Sequence, residues 1–180
     1  DRPEVSRKLL ITAFRLNGWF GKHIFKKTTP ARLELADICN RVIIQPFVHP
    51  EQSAMVNIFT PCELLQNFGL TPMFPEALSC YLSGAGAERG FIDAAEKAGI
   101  PETFCSYHKI LLGAAETGVL PKPRFILNTT FACDANTLTF RRLAQFYSVP
   151  HFVLDIPQDQ SGEAVQYVAD QLKQFGGKMS

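Results

Sequence analysis

Between Met55 and Phe175 the chain repeats one rhythm, in which short apolar runs bounded by proline or glycine alternate with longer stretches of helical periodicity. No other feature constrains the fold as much, because strand, crossover helix and strand in succession pack as a parallel sheet with helices on its faces. Met55-Val56-Asn57-Ile58-Phe59-Thr60 reads as the first strand, and residues 61–68 read as the helix it feeds, closed by Gly69. A second short strand is expected over residues 70–74. Residues 76–103 form a helical, loop-rich insertion broken by Gly84, Gly86, Gly90 and Gly99. The spacing then predicts a helix over 106–117, a strand over 125–129, a helix over 136–147 and a strand over 151–155. A last helix opens at Ser161-Gly162-Glu163 and ends before Gly176-Gly177. Four strands with crossover helices make an α/β fold with an open, mainly parallel sheet.

Ahead of this unit, Leu9, Leu10, Ala13, Phe14, Leu16 and Phe20 recur at three- and four-residue steps over residues 4–27, which predicts an amphipathic helix. A second helix follows Thr28-Thr29-Pro30 and is expected to stop before Pro46. Residues 1–50 therefore read as an N-terminal helical arm and 51–180 as the α/β domain. The arm is basic, with a net +5 over residues 1–30, whereas the whole chain carries only +1. Such a balance gives no bulk field for nucleic acid, and the basic residues of the arm read as a solvated helix face. With 46% hydrophobic and 19% charged residues the chain can bury a sizeable core. No apolar run reaches the roughly 18 residues of a membrane span. The first residues lack both a signal-peptide core and an initiating Met, which points to a fragment. Five cysteines, an odd number, disfavour a secreted disulfide framework and favour a reducing, cytoplasmic setting.

In an open α/β sheet, ligands bind beyond the carboxyl ends of the strands. Cys62 follows the first strand, Cys133 follows the third, and Cys105 opens the helix that returns toward it, so all three point to one edge of the domain. A thiol at a helix N-terminus is favoured as thiolate, the form that binds metal or attacks. The 28-residue step from Cys105 to Cys133 matches neither a zinc-finger pair nor a CxxC redox pair, so topology carries this signal rather than spacing. Cys39 and Cys80 sit in apolar helical contexts and read as core thiols. His108 reads either as a ligand or base near Cys105 or, more plainly, as a surface residue of its helix. Ser83-Gly84-Ala85-Gly86-Ala87 lacks both the Gly-Lys-Ser/Thr of a phosphate-binding loop and the GxGxxG of a dinucleotide site, and reads as a turn. Asp155, just past a strand, is as suited to a structural hydrogen bond as to a ligand.

Pro61-Cys62-Glu63-Leu64-Leu65 with Gly69 and Pro72, then Cys105-Ser106-Tyr107, then Cys133-Asp134, then Leu154-Asp155-Ile156-Pro157 followed by a helix form an ordered set of blocks. Spanning about residues 57–175, this set resembles the 2-hydroxyacyl-CoA dehydratase and benzoyl-CoA reductase family, and within it the iron-sulfur subunits related to the D component of 2-hydroxyglutaryl-CoA dehydratase. The resemblance implies a Rossmann- or flavodoxin-like domain carrying part of a 4Fe-4S site. Cys105 and Cys133 match the first two ligand positions. In the family the third lies in a second α/β domain further along, which this chain, truncated or a shortened relative, does not include, so the ligand set here is incomplete and the isolated chain is expected to be inactive. Cys62 or Cys80 could substitute as the third ligand, a role that nothing in the family pattern gives them.

The resemblance further implies that an ATP-dependent iron-sulfur activator supplies one electron, that the substrate is an acyl-CoA, and that a second dehydratase subunit completes the enzyme. A ketyl radical anion on the thioester then permits loss of an unactivated β-proton and the 2-hydroxyl. Glu63 matches the acidic residue of the Pro-x-Glu-Leu block and is the acid-base candidate; as a first-turn glutamate it also suits the helix dipole. Ser106 and Tyr107 are candidate donors to cluster sulfur. Two rivals stand beside this expectation: a non-catalytic α/β binding or scaffold module of the same superfamily, and a thiol redox protein using Cys62.

Overall fold

The computed structural model describes residues 2–23 and 29–179. The chain forms helices α1 (Pro3–His23) and α2 (Pro30–Val48), a 3-10 turn at Pro50–Gln52, strand β1 (Ser53–Val56), short helix α3 (Glu63–Gln66) and strand β2 (Thr71–Met73). Helices α4 (Pro75–Gly84), α5 (Glu88–Lys97) and α6 (Ser106–Glu116) then lead to strand β3 (Phe125–Thr129). Helix α7 (Asp134–Tyr147), strand β4 (His151–Leu154) and helix α8 (Gly162–Met179) complete the fold.

The four strands are all parallel, in the order β2-β1-β3-β4. Met55 faces Met73 on one side and Ile126 on the other, and Thr129 is in register with Leu154. Every residue of β1 and β3 is buried, as expected of central strands covered on both faces. Alternation along them sorts the core into two layers. Met55, Met73 and Ile126 pack with Leu78, Leu111, Phe140 and Leu143 from α4, α6 and α7, whereas Ala54, Val56, Phe125 and Leu127 pack with Leu65 of α3 and Phe175 of α8. The chain thus winds outward from β1 to β2 with its helix on one face, then returns across to β3 and β4 with helices on the other. Its direction reverses between β1 and β3, the place where such sheets open a crevice at the carboxyl edge.

Asn57, fully buried just past β1, fastens that edge: its amide donates to Thr129 Oγ1 at 3.2 Å, and its Oδ1 accepts from Thr129 N at 3.1 Å and from Thr60 Oγ1 at 2.6 Å. α5 and α6 are tied by Lys109, buried, whose Nζ donates to Glu96 at 2.6 Å and to the Glu102 carbonyl at 2.8 Å. At Gly113 any Cβ would collide with the Phe91 carbonyl, so glycine lets these two helices touch backbone to side-chain-free backbone. The N-terminal arm rests on the core through Phe14, which meets Tyr81 edge to face, and through Arg7, whose Nε donates to the Gly118 carbonyl at 2.8 Å.

Several boundaries depart from the expected ones. α1 ends its described length at His23, and the expected continuation to Lys27 falls partly in residues 24–28, outside the described residues. α2 does not stop before Pro46 but carries it, buried, in the last turn, where Phe47 packs on the core. The first strand is shifted toward Ser53, because Asn57 turns its side chain to the β3 end and residues 57–60 become loop. α8 runs through Gly176-Gly177, between Phe175, which is buried, and Met179, which packs on the same cluster. Burial of those anchors outweighs the roughly 1 kcal/mol that each helical glycine costs.

Candidate functional site

At the carboxyl edge, two loops face each other across the reversal point. The loop after β1 leads to Cys62 and Glu63 at the start of α3 on one face of the sheet; the loop after β3 leads to Cys133, the N-cap of α7, on the other. Phe59 and Phe131 meet edge to face at 5.2 Å between the loops, both largely exposed. Cys133 is reached through Ala132, which holds a left-handed φ of 72° although it is not glycine. A non-glycine residue in that region marks a turn whose geometry is imposed by its surroundings.

The first turn of α6 gathers the other groups. Cys105 is its N-cap and is exposed, as is Ser106 beside it. Neither Cys105 nor Cys133 makes a side-chain cap bond, so both sulfurs stand at helix N-termini without being spent on the local backbone. Tyr107 Oη donates to the Glu76 carbonyl at 2.5 Å and lies 3.3 Å from Cys80 Sγ. Burial, then the contact with Cys80, pushes the Tyr107 phenol well above its ordinary value, with the charges of Glu76 and Cys105 adding to it. His108 follows, buried, with Nε2 at 4.0 Å from Cys133 Sγ. Three thiols, Cys80, Cys105 and Cys133, are thus disposed around the start of one helix.

Beneath them lies Glu76, only 3% exposed, in the first turn of α4. Its Oε2 accepts from the Ile58 amide at 2.7 Å, and the Asn136 side chain hydrogen-bonds it from α7. Burial pushes this carboxyl above its usual range against the pull of both donors. Glu76 therefore links the loop after β1, α4 and α7, and through its own carbonyl α6. Three buried polar atoms on α6 and α7 have no hydrogen-bond partner: His108 Nδ1, Asn136 Oδ1 and Thr139 Oγ1. Unpaired polar atoms of this kind are rare in ordinary cores and concentrate where a ligand or a chemical role explains them.

Cys105, Ser106 and Tyr107 are adjacent on α6, and Cys133 reaches the same helix through His108. Glu63 stands apart, exposed on α3 on the other face of the sheet, next to Cys62. Burial and the Glu63 charge push the Cys62 thiol up to about 11, and its Sγ donates to the Thr60 carbonyl at 3.2 Å. A redox protein built on Cys62 needs the opposite, a thiol easily ionised. Cys39 and Cys80, expected in the core, are exposed. His108, read more plainly as a surface residue, is buried beside Cys133 rather than serving Cys105. Asp155 is structural: its carboxylate accepts from Thr130 Oγ1 at 2.9 Å and from Tyr167 Oη at 3.2 Å. Glu76 was not among the expected site residues; after Pro75 it looks like any first-turn glutamate, and only tertiary contacts single it out.

Cysteine thiolates at helix N-termini are donors of the kind an iron-sulfur cluster would take, and Cys105 and Cys133 supply two of them. Among the described residues no group of three or more His, Cys, Asp or Glu side chains converges on one point. A groove of about 780 Å³, lined by Phe131, Ile156, Val165, Val168 and Leu172 among others, runs from the loop after β3 along α8.

Fold and site together define a doubly wound parallel α/β domain with cysteines at helix starts along the carboxyl edge of its sheet. Residues 57–180, more than half of the chain, match the family described as 2-hydroxyglutaryl-CoA dehydratase, D-component, and the chain belongs to that family. No curated protein matches it. Among the described residues no helix is long and apolar enough to cross a membrane.

Proposed function

We propose that this chain supplies two ligands, Cys105 and Cys133, to a 4Fe-4S cluster in a subunit of a 2-hydroxyacyl-CoA dehydratase-type enzyme, which eliminates water from a 2-hydroxyacyl-CoA. One observation carries the reading: in a member of this family, both cysteines stand at helix N-termini on the carboxyl edge of the sheet, and neither makes a side-chain cap bond. The remaining ligand comes from outside the residues described. When bound, the cluster supplies a single electron of low potential to the thioester.

The chain's own residues would divide the other tasks. First-turn amides of α6 and α7 lie around the two sulfurs and favour the negative charge that ligation places there. Tyr107, pinned by the Glu76 carbonyl, fixes the first turn of α6, and Ser106 offers its hydroxyl at the exposed rim. Elimination of water requires that a β-proton be taken and the departing hydroxyl protonated. One carboxylate can do both in turn, and Glu63, exposed on α3, is the candidate. A second dehydratase subunit, an ATP-dependent activator and the acyl-CoA are the partners this chemistry calls for.

Anaerobic purification of the full-length protein, with iron and sulfide analysis and EPR, tests the reading. About four irons per subunit are expected, with loss of iron in Cys105→Ser and in Cys133→Ser. Glu63→Gln should keep the iron and lose dehydration by about a hundredfold or more. A full-length protein that stays colourless after reconstitution would instead establish the non-catalytic α/β module.

A further inference from the structure

Of the buried groups around the site, His108 has the least ordinary surroundings. Its ring is 3% exposed, wedged between Phe104 and Tyr107 with ring centroids 6.0 Å away on each side. Nε2 faces Cys133 Sγ at 4.0 Å, and Nδ1 meets no partner. The two nitrogens are therefore not equivalent. A proton on Nδ1 would bury an N–H with no acceptor and turn a second lone pair toward the sulfur. On Nε2 it leaves only an unpaired lone pair, the smaller penalty, and gives the sulfur a donor.

We propose that His108 is a positioning residue that donates Nε2–H to Cys133 Sγ, fixing that side chain for iron ligation and raising the reduction potential of a cluster bound through it. The proposal rests on Cys133 being an iron ligand. Hydrogen bonds to cluster sulfur withdraw electron density and make the added electron easier to hold. Burial of the ring keeps water from taking its Nε2–H, and the Phe104 and Tyr107 rings keep the imidazole from rotating away.

Redox titration of the anaerobic full-length protein, followed by EPR, tests this with His108→Gln and His108→Leu. The leucine variant is expected to retain iron while its midpoint potential falls by the equivalent of a tenfold change in the one-electron equilibrium, about 59 mV. Glutamine, which keeps an N–H at similar reach, should restore most of the difference. Retained iron with an unmoved potential in the leucine variant overturns the proposal. A wild-type protein without iron overturns the cluster reading itself. In that case, or if the leucine variant fails to fold or to hold iron, nitrogen-15 NMR of the unmutated metal-free protein decides the hydrogen bond. An Nε2–H tautomer whose signals shift on Cys133→Ala sustains it, and an Nδ1–H tautomer refutes it.

Discussion

At the scale of single residues, the domain places polar side chains where backbone ends need them, and some of these titrate. His151, the first residue of β4, shares a 2.7 Å hydrogen bond with Asn128 Oδ1 on β3. Burial, and then the Arg141 charge, hold its pKa below the ordinary 6.5. In the unfolded chain this histidine takes a proton near pH 6.5, while the folded protein refuses it until lower pH. Stability from this group is thus complete above about pH 6.5 and drains away as the pH falls through the folded value. His151→Gln keeps an amide donor for Asn128 and removes the titration. Denaturation midpoints measured from pH 7.5 to 5.5 should fall less steeply in the variant, and equal slopes would refute the assignment. The buried His108 shifts in the same direction and leaves a residual slope in both proteins.

At the scale of elements, the closest approach is between α5 and α6 at Gly113. The Phe91 carbonyl that blocks a Cβ there is backbone, held in its own helix, and cannot step aside. Gly113→Ala should therefore destabilise by about 3 kcal/mol, despite alanine's better helix propensity, as read from urea unfolding; a loss below about 1 kcal/mol would show that the helices can separate freely. The elements themselves were largely legible. β3 and α6 follow from an apolar run and a 3.6-residue period with glycine and proline at their ends. Less legible were endings decided by remote contacts, such as Pro46 kept inside α2 by its packing and Gly176-Gly177 carried within α8 between two anchored residues. In the site, the placement of Cys105 and Cys133 at helix starts on the carboxyl edge could be read from topology alone. The partnership of Glu76 with Ile58, 18 residues away, and of His108 with Cys133, 25 residues away, leaves no local trace.

At the scale of the whole molecule, stability is unevenly distributed. β1 and β3 are buried throughout and paired on both sides, while α1 is joined to the rest through a few anchors such as Arg7 and Phe14 and exposes Leu9, Leu16 and Trp19. Native-state hydrogen exchange should follow that order: amides of β1 and β3 open only with global unfolding, and those of α1 exchange through a cheaper local opening. Equal protection in α1 and β3 would show instead that the arm and the sheet unfold as one. The two uncommitted N-caps have a consequence of another kind. Serine at either position would cap its helix and add about 1 kcal/mol, and one sulfur atom exchanged for oxygen is the whole of the change. Cysteine at both helix starts therefore forgoes that capping energy, and the metal-free protein should melt higher, not lower, as Cys105→Ser or Cys133→Ser.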